Sequence, residues 1–310
     1  MKNWIKRAIS GVLLILIVIL FIMYIINHLS VFSTLRLVNP WLILILIVIT
    51  LINSTLLGMV TDALVSVFGI RLKFKEWFGL SVITTFYNTL MPFRGGMMAR
   101  AAYLKEKHGF PYTTFLAALA GTYVIDFLVA SFLGLISLIL LFHETGMFNS
   151  IVLVIFLIFF IPLSIIVIFS PKISESNNEL INKFVRVLNG WNLIRKNRRV
   201  IFTSFTRATL YILISSIGTL ISYSVFGLQI SFAQALFLTS IGFFGILISI
   251  TPAGLGIQQV IAVFSALVIN IGPEKSLPVS LLSTAILMIV VFTLGPIFSI
   301  ILIKHKVNKK

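Results

Sequence analysis

The sequence predicts an all-α integral membrane protein with about six full transmembrane helices and two broken, re-entrant helical hairpins in inverted orientation. Its 310 residues are 59% hydrophobic, whereas soluble domains are about 45–50% apolar. Long apolar segments alternate with polar connections, and two shorter apolar segments are interrupted by proline and glycine. We therefore expect a single polytopic membrane domain over residues 1–310.

The long segments each contain the roughly 20 residues that a helix needs to span the hydrocarbon core. Basic residues precede the first segment, as in a signal peptide. No small-residue cleavage site follows it, so we expect a retained first helix. The predicted spans are residues 9–26, 41–68, 113–142, 150–170, 200–226 and 278–303.

Basic residues dominate the charge, and the net charge is +16 at pH 7. Of the 24 lysines and arginines, 22 lie in four clusters, at residues 2–7, 71–107, 172–207 and 304–310. The positive-inside rule places these clusters and both termini in the cytoplasm, beside anionic lipid headgroups. The pattern indicates a multi-pass protein of the cell membrane and argues against nucleic acid as a partner.

The first short apolar segment, residues 77–90, lies between two basic stretches that the charge rule places in the cytoplasm. A single crossing would violate that rule. The segment is therefore predicted to enter the membrane, break at residues 91–96 and return through residues 97–107. Broken helices are tolerated at membrane depth only where protein or water lines them.

The second short apolar segment is predicted to enter the membrane from the opposite side. Residues 232–250 enter from outside, a break follows at 251–256, and residues 257–270 return, whether this hairpin spans fully or dips halfway. Two broken hairpins of opposite orientation are what an inverted repeat produces, with a site near the midplane. The halves are residues 1–170 and 200–310. Between them, residues 171–199 read as an in-plane amphipathic helix or as a solvated basic linker.

Arg94 lies in the first break, and Arg100 follows on the returning limb. Arginine binds phosphate or carboxylate in a bidentate manner, so an anionic headgroup is the natural ligand. The alternative is that both arginines reach the cytoplasmic surface. The other candidate binding residues of this break are Asn88, Pro92, Gly95 and Gly96.

Asp126 lies in the middle of the predicted span 113–142. An ionisable residue inside the membrane usually indicates a functional site and needs a charged or polar partner. We predict Arg100 as that partner, because the two segments are consecutive. Three roles stay open for this pair. It could be an ion pair that gates the site, Asp126 could be a carboxylate that couples proton movement to transport, or the pair could be a structural salt bridge.

The second break offers glycines and amides. Glycine permits close backbone approach, and the N-terminus of the following helix can donate N–H groups to an anion. The alternative is helix packing through small and polar residues. The candidates are Pro252, Gly254, Gly256, Gln258 and Gln259.

With no cysteine, scattered histidines and no catalytic motif, we expect no metal, cofactor or enzyme activity.

Three stretches together resemble a known family: residues 88–100 (NTLMPFRGGMMAR), 116–126 and 251–259 (TPAGLGIQQ). In order and spacing they are similar to the transmembrane region of the lysylphosphatidylglycerol synthase family. The resemblance implies a flippase-like membrane fold. In fused members this region is linked to moving an aminoacylated phospholipid between leaflets, while a separate cytosolic domain transfers the amino acid. We expect that lysyltransferase domain to be absent here.

The sequence departs from the family pattern at charged positions. Where the family usually has glutamate or arginine, this sequence has Met97, Thr122, Tyr123, Gln258 and Gln259, while Arg100 and Asp126 remain. The expected function is translocation of an anionic or aminoacylated phospholipid, or of a polyprenyl-phosphate-linked lipid. The alternatives are a non-transporting partner subunit of a lipid-modifying or glycosylation enzyme, and a secondary transporter of a small anion.

Overall fold

The computed structural model describes residues 37–146, 148–169, 195–248 and 251–304, with single positions at 174, 182, 185 and 192. Every regular element in these residues is helical. The helices are α1 (Leu42–Ser66), α2 (Phe74–Leu90), α3 (Gly95–His108), α4 (Tyr112–Thr145), α5 (Ser150–Phe169), α6 (Arg198–Val225), α7 (Phe232–Phe244), α8 (Ile257–Val268) and α9 (Pro273–Lys304). Short 3₁₀ turns occupy Pro92–Arg94, Gly245–Ile248 and Pro252–Gly254.

Five helices, α1, α4, α5, α6 and α9, are long and apolar enough to cross a membrane. They confirm five of the six predicted spans as helices of spanning length. The sixth, residues 9–26, lies outside the described residues, as does most of the connector predicted at 171–199, as an amphipathic helix or a basic linker. The remaining four helices are short and form two broken hairpins, α2–α3 and α7–α8.

Burial differs sharply between neighbouring helices. Most of α4 is buried, whereas α5 has a mean hydropathy of 3.4 and is largely exposed, as expected of a helix that faces lipid. The two pack closely because Gly134 on α4 has no side chain. A Cβ there would collide with the ring of Phe156, which is fully buried on α5. Small residues at helix interfaces serve this purpose in membranes.

The two halves use the same order of elements and the same contacts. Each half has a long helix, a broken hairpin and another long helix: α1, α2–α3 and α4, then α6, α7–α8 and α9. The first helices, α1 and α6, pack against each other. Helix α2 packs on α9 of the other half, and α7 packs correspondingly on α4. Exchanging the halves therefore maps this contact pattern onto itself.

A polar cluster closes the open end of the first hairpin, outside the five spanning helices. The Glu76 carboxylate accepts hydrogen bonds from the Lys73 backbone N–H at 3.1 Å and the Tyr103 hydroxyl at 2.9 Å. It also pairs with Lys107 at 2.8 Å and lies 3.2 Å from His108. Burial raises the pKa of Glu76, but the hydrogen bonds, led by that from Lys107, outweigh it and lower the pKa to about 2. This cluster joins the first turn of α2 to the last turn of α3.

Candidate functional site

The first break is shorter than the sequence predicted. Met91 is extended, Pro92 opens a 3₁₀ turn, and Phe93 and Arg94 are both left-handed, with φ of 55° and 57°. Helix α3 already begins at Gly95, so the predicted break at 91–96 is wrong in its last two residues. Non-glycine residues in this region cost on the order of 1–3 kcal/mol each and occur mostly where structure and function over-determine them.

Gly96 lets the two limbs of this hairpin approach closely. A Cβ at Gly96 would collide with the carbonyl oxygen of Thr84 on α2. The Gly96 N–H donates to Asn88 Oδ1 at 2.9 Å. A side chain at Gly95 would meet Met91 at 2.8 Å. These glycines and Asn88 therefore shape the break.

The second break repeats the backbone conformation of the first. Thr251 is extended, Pro252 opens the turn, and Ala253 and Gly254 are left-handed, with φ of 55° and 67°. Pro252 and Gly254 therefore correspond to Pro92 and Arg94. At this position of the turn, the first break therefore has the guanidinium side chain of Arg94, whereas the second break has Gly254, which has no side chain.

Helix α8 begins after Gly256, whose φ of 81° favours glycine. The Gly256 N–H donates to Gln259 Oε1 at 2.8 Å, and Gln259 Nε2 donates to Thr284 on α9 at 3.0 Å. Gln259 is therefore buried and joins the break to α9. Its neighbour Gln258 lines a cavity instead.

The two breaks contact each other, and the first-half helix α2 also contacts the second break. Between them lies a cavity of about 560 Å³. Ligand pockets have volumes of about 300–1,000 Å³. The predicted site residues that line the cavity are Asn88, Arg94, Asp126, Gly254 and Gln258. Those that do not line it are Pro92, Gly95, Gly96, Arg100, Pro252, Gly256 and Gln259.

Asp126 pairs with an arginine that the sequence analysis did not consider. Arg207 Nη2 lies 2.7 Å from Asp126 Oδ1, and the two side chains are 6% and 14% exposed. The predicted pair of Asp126 with Arg100 is wrong. Consecutive segments suggested Arg100, but the carboxylate faces α6 of the other half, 81 residues further along the chain.

Arg100 is fully buried, so it does not reach the surface as the alternative reading required. Its Nε donates to Thr84 Oγ1 at 2.9 Å. Its Nη2 is buried and has no hydrogen-bond partner among the described residues. Thr84 lines the cavity, and therefore Arg100 acts from behind the cavity wall.

Arg94 is half-buried and lines the cavity directly. Its Nη1 donates to the Tyr123 hydroxyl at 2.9 Å. The acceptor of this bond is therefore a hydroxyl and not a carboxylate. Three guanidinium groups, of Arg94, Arg100 and Arg207, thus lie in or directly behind a cavity wall that contains one carboxylate, and the excess positive charge suits an anion.

The charge pattern placed Arg207 in the basic cluster at residues 172–207, and its role in the site was missed. A signal was present, because Arg207 lies well inside the predicted span 200–226, where an ionisable residue indicates function. The hydroxyl-bearing residues of the cavity were missed as well, since Ser and Thr in apolar helices also serve ordinary packing. Only the fold shows that they share one wall.

Lining residues recur on one face of α6 at one-turn spacing, at Arg207, Tyr211, Ser215, Thr219 and Tyr223. Sixteen helical steps of 1.5 Å, from residue 207 to 223, make a stripe about 24 Å long. The hydrocarbon core of a bilayer is about 30 Å thick. The stripe is therefore nearly as long as the hydrocarbon core is thick. The described residues contain no cluster of side chains suited to a metal ion.

The profile of one protein family, described as the lysylphosphatidylglycerol synthase TM region, matches residues 8–295. The chain belongs to this family. Neither the curated proteins nor the solved structures compared with the chain gave a match. Both breaks and every residue that lines the cavity lie inside the part that matches the lysylphosphatidylglycerol synthase transmembrane region.

Proposed function

We propose that this member of the lysylphosphatidylglycerol synthase transmembrane-region family is a lipid translocase that moves an anionic lipid headgroup between leaflets. The observation that carries the proposal is the cavity between the two breaks. It has the volume of a ligand site, and its largely apolar wall contains Arg94 and the Asp126–Arg207 pair.

The matching halves support this function. We propose that α1–α4 and α6–α9 are an inverted repeat, with α2–α3 and α7–α8 as re-entrant hairpins from opposite sides. Transporter sites lie where discontinuous helices of such repeats meet, and alternating access moves one repeat against the other. On the charge rule, both termini and the open end of α2–α3 face the cytoplasm of the cell membrane.

In this mechanism the phosphate of the headgroup binds Arg94, and the acyl chains stay in lipid. The Arg94 guanidinium exchanges its hydrogen bond with Tyr123 for the phosphate oxygens, which are stronger acceptors because they are charged. Asp126 holds Arg207 in the wall and limits the positive charge, so that the anion is released after crossing. We assign no aminoacyl transfer to residues 1–310.

The test is leaflet exchange of fluorescent phosphatidylglycerol in proteoliposomes, read from chemical quenching of the outer-leaflet label. Arg94→Gln should slow exchange by about tenfold or more, since a hydrogen bond to a charged group contributes about 1.5–3 kcal/mol. Arg71→Gln, an exposed arginine outside the cavity, is the matched control and should exchange like the wild type. Thermal stability is measured for each variant to separate lost transport from misfolding.

Two outcomes would overturn the proposal. Uptake of inorganic phosphate without lipid exchange would indicate a secondary transporter of a small anion. Absence of both activities in folded wild-type protein, across phosphatidylglycerol and polyprenyl phosphate, would indicate a partner subunit that moves nothing.

A further inference from the structure

The cavity has two chemically different regions along the stripe on α6. Charged and phenolic groups line its N-terminal part, where Arg207 pairs with Asp126 and Tyr211 follows one turn later. Hydroxyl groups line the other part. They belong to Ser215, Thr219, Thr239, Ser265, Ser276, Ser280, Ser283 and Thr284, on α6, α7, α8 and α9. A bound headgroup would contact both regions.

These hydroxyls face the cavity mainly as acceptors. A hydroxyl has one proton and two lone pairs, and in a helix the proton commonly goes to the carbonyl oxygen four residues earlier. That bond is formed by Thr219, Ser265, Ser276, Ser283 and Thr284, at distances of 2.7–3.1 Å. Thr284 already accepts a hydrogen bond from Gln259, and Thr219 and Ser283 each share one with a neighbouring hydroxyl. The lone pairs that remain can accept hydrogen bonds from O–H groups of a ligand.

The charged region disfavours a cationic headgroup. Among the described residues that line the cavity, Asp126 is the only carboxylate, and it is already bonded to Arg207 at 2.7 Å. Arg94 lines the same cavity, and Arg100 lies behind Thr84 with an unpaired, buried Nη2. An ammonium group would meet like charges here, whereas a phosphate would supply the missing counter-charge.

We infer that the headgroup is a phosphodiester whose second substituent is uncharged and rich in hydroxyl groups, such as glycerol or a sugar, and that it is not an aminoacylated cation. The inference rests on the proposed function and narrows its substrate. The phosphate binds the arginine region, and the hydroxyls donate to the acceptor wall on α6 and α9. Within a family described by lysylphosphatidylglycerol synthesis, this cavity selects the unmodified type of headgroup.

The test compares five lipids as ligands of the purified full chain in detergent, with the midpoint of thermal unfolding as the readout. Phosphatidylglycerol and phosphatidylinositol should raise the midpoint and bind at least about fivefold more tightly than phosphatidic acid, because one net hydrogen bond contributes about 1 kcal/mol. Lysyl-phosphatidylglycerol and phosphatidylethanolamine should give no saturable shift. A larger effect of phosphatidylinositol than of phosphatidylglycerol would identify a ring polyol as the preferred substituent, and the reverse would identify glycerol.

Two variants locate the effect. Ser280→Ala together with Ser283→Ala should abolish the preference for phosphatidylglycerol over phosphatidic acid while leaving phosphatidic acid binding unchanged. Ser299→Ala is the matched control, because Ser299 is buried on the same helix but lies outside the cavity. It should bind like the wild type.

Failure of the inference differs from failure of the proposed function. If lysyl-phosphatidylglycerol binds as tightly as phosphatidylglycerol, or if the double serine variant keeps the full preference, the headgroup inference is wrong while an anionic or aminoacylated lipid site remains. If neither the five lipids nor polyprenyl phosphate stabilises the folded protein or exchanges between leaflets, the proposed translocase function itself is refuted.

Discussion

Asp126 and Arg207 form a buried ion pair between the two halves, and a double-mutant cycle can measure its coupling. Removing one partner of such a pair leaves an uncompensated charge and costs about 3–5 kcal/mol. Asp126→Asn and Arg207→Gln should each destabilise the protein by that amount, since the pair is 2.7 Å apart and both side chains are largely buried. The double variant leaves neither charge unpaired, so it should be no less stable than either single variant.

The measurement is denaturant unfolding in mixed micelles, followed by helical circular dichroism. If the two residues were independent, the double variant would lose the sum of the single effects, about 6–10 kcal/mol. Additivity within about 0.5 kcal/mol would therefore refute the pairing. Asp126→Asn combined with Arg100→Gln is the control cycle. It should show the smaller coupling, because Arg100 bonds Thr84 instead of Asp126.

Three further predictions concern the elements around the site. Gly96→Ala should destabilise the protein by about 1–3 kcal/mol in the same unfolding assay, because the added methyl group collides with the Thr84 carbonyl oxygen. Gln259→Leu should cost about 1–2 kcal/mol, since it removes the acceptor of the Gly256 N–H and a second hydrogen bond. Glu76→Gln should destabilise at neutral pH. The folded-state pKa of Glu76 is lowered to about 2. The difference in unfolding free energy between the wild type and Glu76→Gln should therefore be constant down to about pH 4.5 and disappear as the pH falls to about 2.

Matched controls exist for these changes. Gly242→Ala places a methyl group in open space and should be neutral or slightly stabilising, because alanine favours helix. Glu274→Gln removes an exposed carboxylate and should reduce stability at neutral pH by less than Glu76→Gln does. Equal effects of the control and the test variant would contradict the contact on which each prediction depends. For Gln259, an unchanged stability of the leucine variant would show that α8 and the second break are held by other contacts.

The helices and their breaks could be predicted from the sequence because both depend on local chemistry. Hydropathy over about 20 residues identifies a spanning helix wherever it packs. Proline removes a backbone donor and clashes with the preceding turn, so Pro92 and Pro252 mark the breaks without any knowledge of the fold. Boundaries were less accurate, as at Gly95, because the left-handed residues Phe93 and Arg94 carry no signal in residue type.

The pairing inside the site could not be predicted, because it depends on which helices are neighbours. Asp126 was matched with the nearest arginine along the chain, whereas its actual partner is on α6. The hydroxyl wall depends on the register of α6 against α9, which the sequence does not encode in any single motif. Arg207 alone could have been recognised, from its depth in the predicted span.

The two breaks show how a repeated backbone can serve an asymmetric task. Both have an extended residue, a proline and two left-handed residues in the same order, so the two breaks share the same backbone turn. Their side chains differ, since Arg94 occupies the position of Gly254. A left-handed arginine costs more than a left-handed glycine, and the only hydrogen-bond partner that the described residues give its guanidinium is the Tyr123 hydroxyl. A single hydrogen bond to a neutral group contributes about 1 kcal/mol, which is no more than that backbone cost. On the proposed function, Arg94 is retained because it also binds the phosphate, and Gly254 at the corresponding position lets the headgroup approach the backbone.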